Sequence, residues 1–98
     1  MTVSAVSFYR GGSIESLAPV ARKLKVAYGK HDIAYRLSRV DTGPNAGDWL
    51  VIVTYANQQA YDKALAAIAV DPECQQAFHE IATFAKRVSR ELVTDIDI

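Results

Sequence analysis

The chain is poor in the residues that usually announce a chemistry. It holds one cysteine, one tryptophan, one methionine and three prolines among 98 residues. A single thiol excludes an intrachain disulfide framework and any multi-thiolate metal site. An excess of one charge is missing too: eleven basic side chains balance eleven acidic ones, giving a formal net charge of zero at pH 7. Binders of a phosphate backbone draw affinity from a basic excess, so no nucleic acid partner is expected. Long apolar runs are also absent. Nothing approaches the roughly 20 residues that cross a bilayer, so no membrane partner is expected. The first basic residue is Arg10, which leaves no basic stretch ahead of an apolar core. That reading excludes a secretory signal and predicts a cytoplasmic protein. The three-glycine dinucleotide fingerprint and the Gly-Lys-Ser/Thr loop are missing, as are Gly-x-Ser-x-Gly, His-x-x-x-His and Cys-x-x-Cys. No metal and no cofactor are therefore expected.

What is present is the material of one domain spanning residues 1–98. Half the residues are hydrophobic and 22% are charged, too apolar a mixture for a disordered tail. Val3 to Arg10 is rich in strand formers and ends at Gly11-Gly12. From Ser16, read as an N-cap that places Pro19 in the first turn, Leu17, Val20, Ala21, Leu24 and Tyr28 recur at helical spacing up to Gly29. Ile33 to Val40 alternates as a strand, with Ile33, Tyr35 and Leu37 on one side and Arg36 and Ser38 on the other. A turn-rich stretch, Asp41 to Asp48, leads into Trp49 to Tyr55, which is apolar in both parities like a strand covered on two faces. Asn57 caps a helix carrying Tyr61, Ala64, Leu65 and Ile68. Asp71-Pro72-Glu73 opens another with Ala77, Phe78, Ile81, Ala82 and Ala85. Val88 to Val93 alternates as a last strand.

The order β-α-β-β-α-α-β predicts an α+β, ferredoxin-like split βαβ domain. Its antiparallel four-stranded sheet would carry the helices on one face, because right-handed crossovers send them to the same side. Val6 and Phe8 oppose Val3, Ala5 and Tyr9 in parity, and Leu50 and Ile52 oppose Trp49, Val51 and Val53. Whichever set meets the helices, the other leaves large apolar side chains bare. Such a patch marks an interface, so a homodimer packed sheet against sheet is expected.

Taken together, Asp48-Trp49-Leu50-Val51-Ile52-Val53-Thr54-Tyr55 leading to Asn57 and Ala60-Tyr61, then Asp71-Pro72-Glu73, then Arg87-Val88-Ser89-Arg90-Glu91-Leu92, resemble the dimeric α/β-barrel superfamily. The likeness runs over nearly the whole chain and is nearest to the superfamily's small uncharacterised members. It implies the fold and the dimer. The superfamily includes cofactor-independent monooxygenases, haem-degrading enzymes, isomerases, dehalogenase-like proteins and members with no assigned activity, so the likeness fixes no reaction.

Candidate functional residues follow from residue type and position. His79 neighbours the Phe78/Ile81/Ala82 stripe, where it would edge the helix–sheet seam and could handle a proton. Cys74 falls in a first helical turn, where the helix dipole would favour a thiolate; a small half-buried residue is the alternative. Tyr9, Tyr35, Trp49, Tyr55 and Tyr61 cluster on or near strands and suit either a flat organic ligand or a dimer core. Of these, Tyr35 and Trp49 would wall a ligand site, with Arg36 as an anion anchor. Arg36 and Arg90 sit mid-strand and would pair across the dimer, hold a carboxylate or enolate ligand, or guard sheet edges against aggregation. Two readings result. One is a dimer that binds a small organic ligand between helices and sheet without clear catalytic residues. The other is a cofactor-independent monooxygenase or isomerase acting on a phenolic or enolic molecule. A pocket of about 300 Å³ or more with converging polar groups separates a ligand site from a filled seam.

Overall fold

The strand-forming N-terminal segment becomes β1, Val3–Arg10, in the computed structural model, which describes residues 1–98. Gly11 and Gly12 then take φ values of +103° and +72°, a region open to glycine at little cost, and swing the chain into α1, Ile14–Gly29. The helix is capped at Ser13 rather than Ser16. The Ser13 hydroxyl accepts from the Ser16 amide at 3.3 Å and the Ser16 hydroxyl accepts from the Ser13 amide at 3.0 Å. This reciprocal cap draws the helix start toward the N-terminus and leaves Pro19 in the second turn. Pro19 lies on the exposed side, so the Glu15 carbonyl that it cannot serve faces water.

The remaining elements are β2 (Ala34–Arg39), β3 (Trp49–Tyr55), α2 (Gln58–Ala69), α3 (Pro72–Ala82) and β4 (Lys86–Thr94). Asn57 caps α2 by accepting from the Ala60 amide at 2.8 Å. Asp71 caps α3 by accepting from the amides of Glu73 at 2.9 Å and Cys74 at 3.3 Å. The sheet runs β2-β3-β1-β4 with every neighbouring pair antiparallel, the ferredoxin-like topology expected from the element order. β4 extends beyond its expected limits and carries a bulge: Phe8 pairs with Ser89 while Tyr9 pairs with Arg87, so Val88 has no partner.

Burial assigns the two faces. Val51, Val53 and Tyr55 of β3 and Val3 and Ala5 of β1 lie under the helices with Leu17, Val20, Leu24, Cys74 and Ile81. On the opposite face the register builds three rows across the sheet: Ala34–Thr54–Ser4–Val93, Arg36–Ile52–Val6–Glu91 and Ser38–Leu50–Phe8–Ser89. No helix of this chain covers those rows. Two rows have apolar centres, Ile52–Val6 and Leu50–Phe8. The third has Thr54 and Ser4 hydrogen-bonded at 3.0 Å, and the charges of Arg36 and Glu91 lie on the edge strands.

One ion pair ties the ends of the central strands. Arg10 donates through Nε and Nη2 to the two carboxylate oxygens of Asp48 at 2.9 and 3.1 Å, and Asp48 is buried while Arg10 reaches solvent. The hydrogen bonds from Arg10 hold the Asp48 carboxyl below the ordinary carboxylate range. Its contribution to stability is therefore complete above the unfolded value near pH 4 and disappears as the pH falls through the lower, folded value. Asp48→Asn is expected to flatten the acid limb of the stability profile between roughly pH 5 and 3, measured as urea midpoints. An unchanged slope would count against this assignment.

Candidate functional site

A cavity of about 500 Å³ lies between helices and sheet, within the range of small-ligand sites. Small residues border it on both layers: Ala5 and Ser7 of β1, Ala82 of α3 at the exposed rim, and Ala85 of the segment that follows. Leu24 of α1, Ile68 of α2 and Ile81 of α3 make its apolar walls.

The polar lining is aromatic. Four tyrosines, Tyr9, Tyr28, Tyr35 and Tyr55, border the space. Tyr28 and Tyr35 stack with centroids 5.5 Å apart and planes 15° from parallel, while Tyr55 meets Tyr61 edge to face at 5.0 Å. Burial raises the phenols of Tyr28, Tyr35 and Tyr55 above the ordinary tyrosine value near 10. They are thus neutral hydroxyls at physiological pH, able to donate as well as accept. The mouth is basic: Arg87 and Arg90 of β4 complete the lining, and no aspartate, glutamate or histidine belongs to it. Arg90 donates from Nη2 to the Tyr61 hydroxyl at 2.9 Å, its guanidinium carbon 5.8 Å from the centre of that ring.

Of the residues singled out from sequence, Tyr9, Tyr35, Tyr55 and Arg90 line the cavity, whereas Arg36, Trp49 and His79 are placed elsewhere. Arg36 follows Tyr35 on β2 and so projects to the uncovered face, in one row with Ile52 and Val6. Trp49 is buried beyond the cavity at the start of β3, where its indole N–H donates to the Gly11 carbonyl at 3.0 Å. His79 is exposed, because helical rotation turns Phe78, Ile81 and Ala82 to the cavity and carries the next position past the seam. His79, Trp49 and Arg36 are therefore not among the residues that line this cavity. Sequence reasoning missed Tyr28, which reads as ordinary helix core, and Arg87, whose facing depends on the β4 bulge.

Cys74 is fully buried rather than half-buried. Burial, reinforced by the neighbouring Asp71 and Glu73 carboxylates, pushes its thiol up to about 11. At pH 8 this leaves a thiolate fraction of about one in a thousand, which overrides the dipole argument. The native protein is expected to react with an aromatic disulfide reagent at least about a hundredfold more slowly than the urea-unfolded chain. Comparable rates would place Cys74 at the surface. His31 approaches Asp71 at 3.6 Å, on the far side of that cap.

No family model matches the sequence, and no curated protein matches it. Solved structures do. SnoaB, a cofactor-independent oxygenase from Streptomyces nogalater, superposes with a TM-score of 0.75 at 13% identity over 99% of this chain and 95% of that one. A conserved protein of unknown function from Bacteroides thetaiotaomicron, described as a possible oxidoreductase, gives 0.70 at 19% identity over 94% and 95%. A dimeric protein of unknown function with a ferredoxin-like fold, from Bacteroides fragilis, gives 0.54 at 17% over 94% and 92%. At these identities the likeness shows the fold alone, the ferredoxin-like arrangement described above.

Proposed function

We propose that this protein is a homodimeric binding protein that holds a small, flat organic molecule between its helices and its sheet. The observation that carries the reading is the cavity of about 500 Å³ bordered by four tyrosines. Aromatic walls match a planar ligand, and hydroxyl donors around the edge fix its orientation. The absence of a carboxylate or imidazole among the lining residues favours binding over proton abstraction, since general base catalysis needs an acceptor within reach of the ligand. The second copy covers the apolar rows of the open face.

Fluorescent phenylnaphthylamine, a neutral planar probe, tests the site. Saturable binding at one probe per chain is expected. Ala82→Trp places a large ring at an exposed rim position and is expected to weaken binding by at least about tenfold. Binding that ignores this substitution would refute the cavity as the site.

A second reading is supported by the fold shared with SnoaB, a cofactor-independent oxygenase. A phenolic or enolic substrate would occupy the same cavity, oriented by neutral tyrosines. Oxygen consumption with a panel of quinols and phenols, lost in Ala82→Trp, is its expected signature.

A further inference from the structure

The cavity mouth is one-sided in charge. Arg87 and Arg90 both line it, and no acidic side chain does. Elsewhere Arg10 and Arg39 each meet a carboxylate, at 2.9 and 3.3 Å, but neither Arg87 nor Arg90 has an acidic partner. Their joint presence is a consequence of the bulge. Residues three apart on a regular strand point to opposite faces. Here the extra Val88 restores the facing, so that Arg90 pairs with Ser7 and Arg87 with Tyr9, both on the helix-covered side. Glu91, the nearest carboxylate in sequence, pairs with Val6 on the other face and cannot neutralise them.

Arg90 is also held in place. Its hydrogen bond to the Tyr61 hydroxyl uses one of five N–H donors, and the Tyr61 ring lies against the guanidinium. The fork retains donors for an acceptor at the mouth. Two guanidiniums beside an apolar chamber suit a molecule with a planar body and one anionic oxygen group.

Resting on the binding reading given above, we propose that the ligand is a planar aromatic acid: its ring system lies among the tyrosines and its carboxylate or comparable oxyanion is clamped by Arg87 and Arg90. The acid enters body first, leaving its charge at the rim, where desolvation costs least.

Two probes with the same body decide this: phenylnaphthylamine and its sulfonated counterpart, anilinonaphthalene sulfonate. The parent protein is expected to bind the sulfonate at least about tenfold more tightly than the neutral probe. The Arg87→Gln/Arg90→Gln double variant should remove that advantage while leaving the neutral probe within about twofold. Raised salt should weaken the sulfonate alone. Equal affinities in the parent, or equal losses for both probes in the double variant, would overturn the anionic clamp. In that case neutral-probe binding and its sensitivity to Ala82→Trp survive. If Ala82→Trp affects neither probe, the cavity reading fails and the clamp fails with it.

Discussion

Ile52→Asp should leave a folded chain that sediments at 10.7 kDa where the parent sediments at twice that mass. Ile52 stands at the centre of the uncovered face, beside Val6 in its own row and Leu50 on its own strand, with Phe8 diagonally opposite. Each such side chain contributes about 1.5–3 kcal/mol when fully buried. A carboxylate at the same place must be stripped of water with no partner, at a cost of several kcal/mol. Because a two-fold interface meets itself, the substitution acts twice. About 4 kcal/mol is already a thousandfold in the dissociation constant. The far-UV spectrum should be unchanged, since the altered side chain points away from the helices. A variant that stays dimeric would place the interface on another surface.

The same row explains why one pairing of the two sheets would be preferred. It reads Arg36–Ile52–Val6–Glu91 from edge to edge. A two-fold axis along the strand direction lays β2 of one protomer over β4 of its partner, so each Arg36 approaches a glutamate across the interface. Rim charges of this kind set register and specificity more than affinity. Glu91→Arg should weaken the dimer, and adding Arg36→Glu should restore it; loss without rescue would rule out this register.

The legible parts of the molecule were those written in periodicity and caps. Asn57 and Asp71-Pro72 announce α2 and α3 because side-chain acceptors must satisfy amides that a helix start leaves open. The alternation around Tyr35 and Arg36 gave the two faces of β2 correctly. The cavity was harder to read because its lining comes from all seven elements along the sequence, and no local pattern records that they converge. The bulge opposite Phe8 and Tyr9 is similarly silent. Strict alternation along β4 would separate Arg87 from Arg90, and only the pairing with β1 reveals that both look inward. His79 is exposed for a simpler reason: one residue of helical rotation, about 100°, separates it from Phe78 in the cavity lining.

Trp49 offers the sharpest contrast between a ligand wall and a structural anchor, because the two roles demand opposite results from one position. Trp49→Ala should cost about 3–5 kcal/mol, as the removal of a large buried ring usually does. For a domain of this size that lowers the melting temperature by at least about 12 °C. Trp49→Phe keeps part of the packing but removes some ring volume together with the donor that reaches the Gly11 carbonyl at 3.0 Å. Gly11 is exposed, so water can replace the indole N–H, and the expected loss is about 1–3 kcal/mol, below that of the Ala variant. Binding of phenylnaphthylamine to the Phe variant should stay within about twofold of the parent, because the indole anchors the β1–α1 turn instead of lining the cavity. The turn is confined from another side as well: a Cβ on Gly11 would lie 2.9 Å from the Phe84 carbonyl oxygen, so the backbone there has little room to drift when the indole is gone. A Phe variant of near-parental stability that binds the probe tenfold more weakly would return Trp49 to the ligand and overturn its role as an anchor.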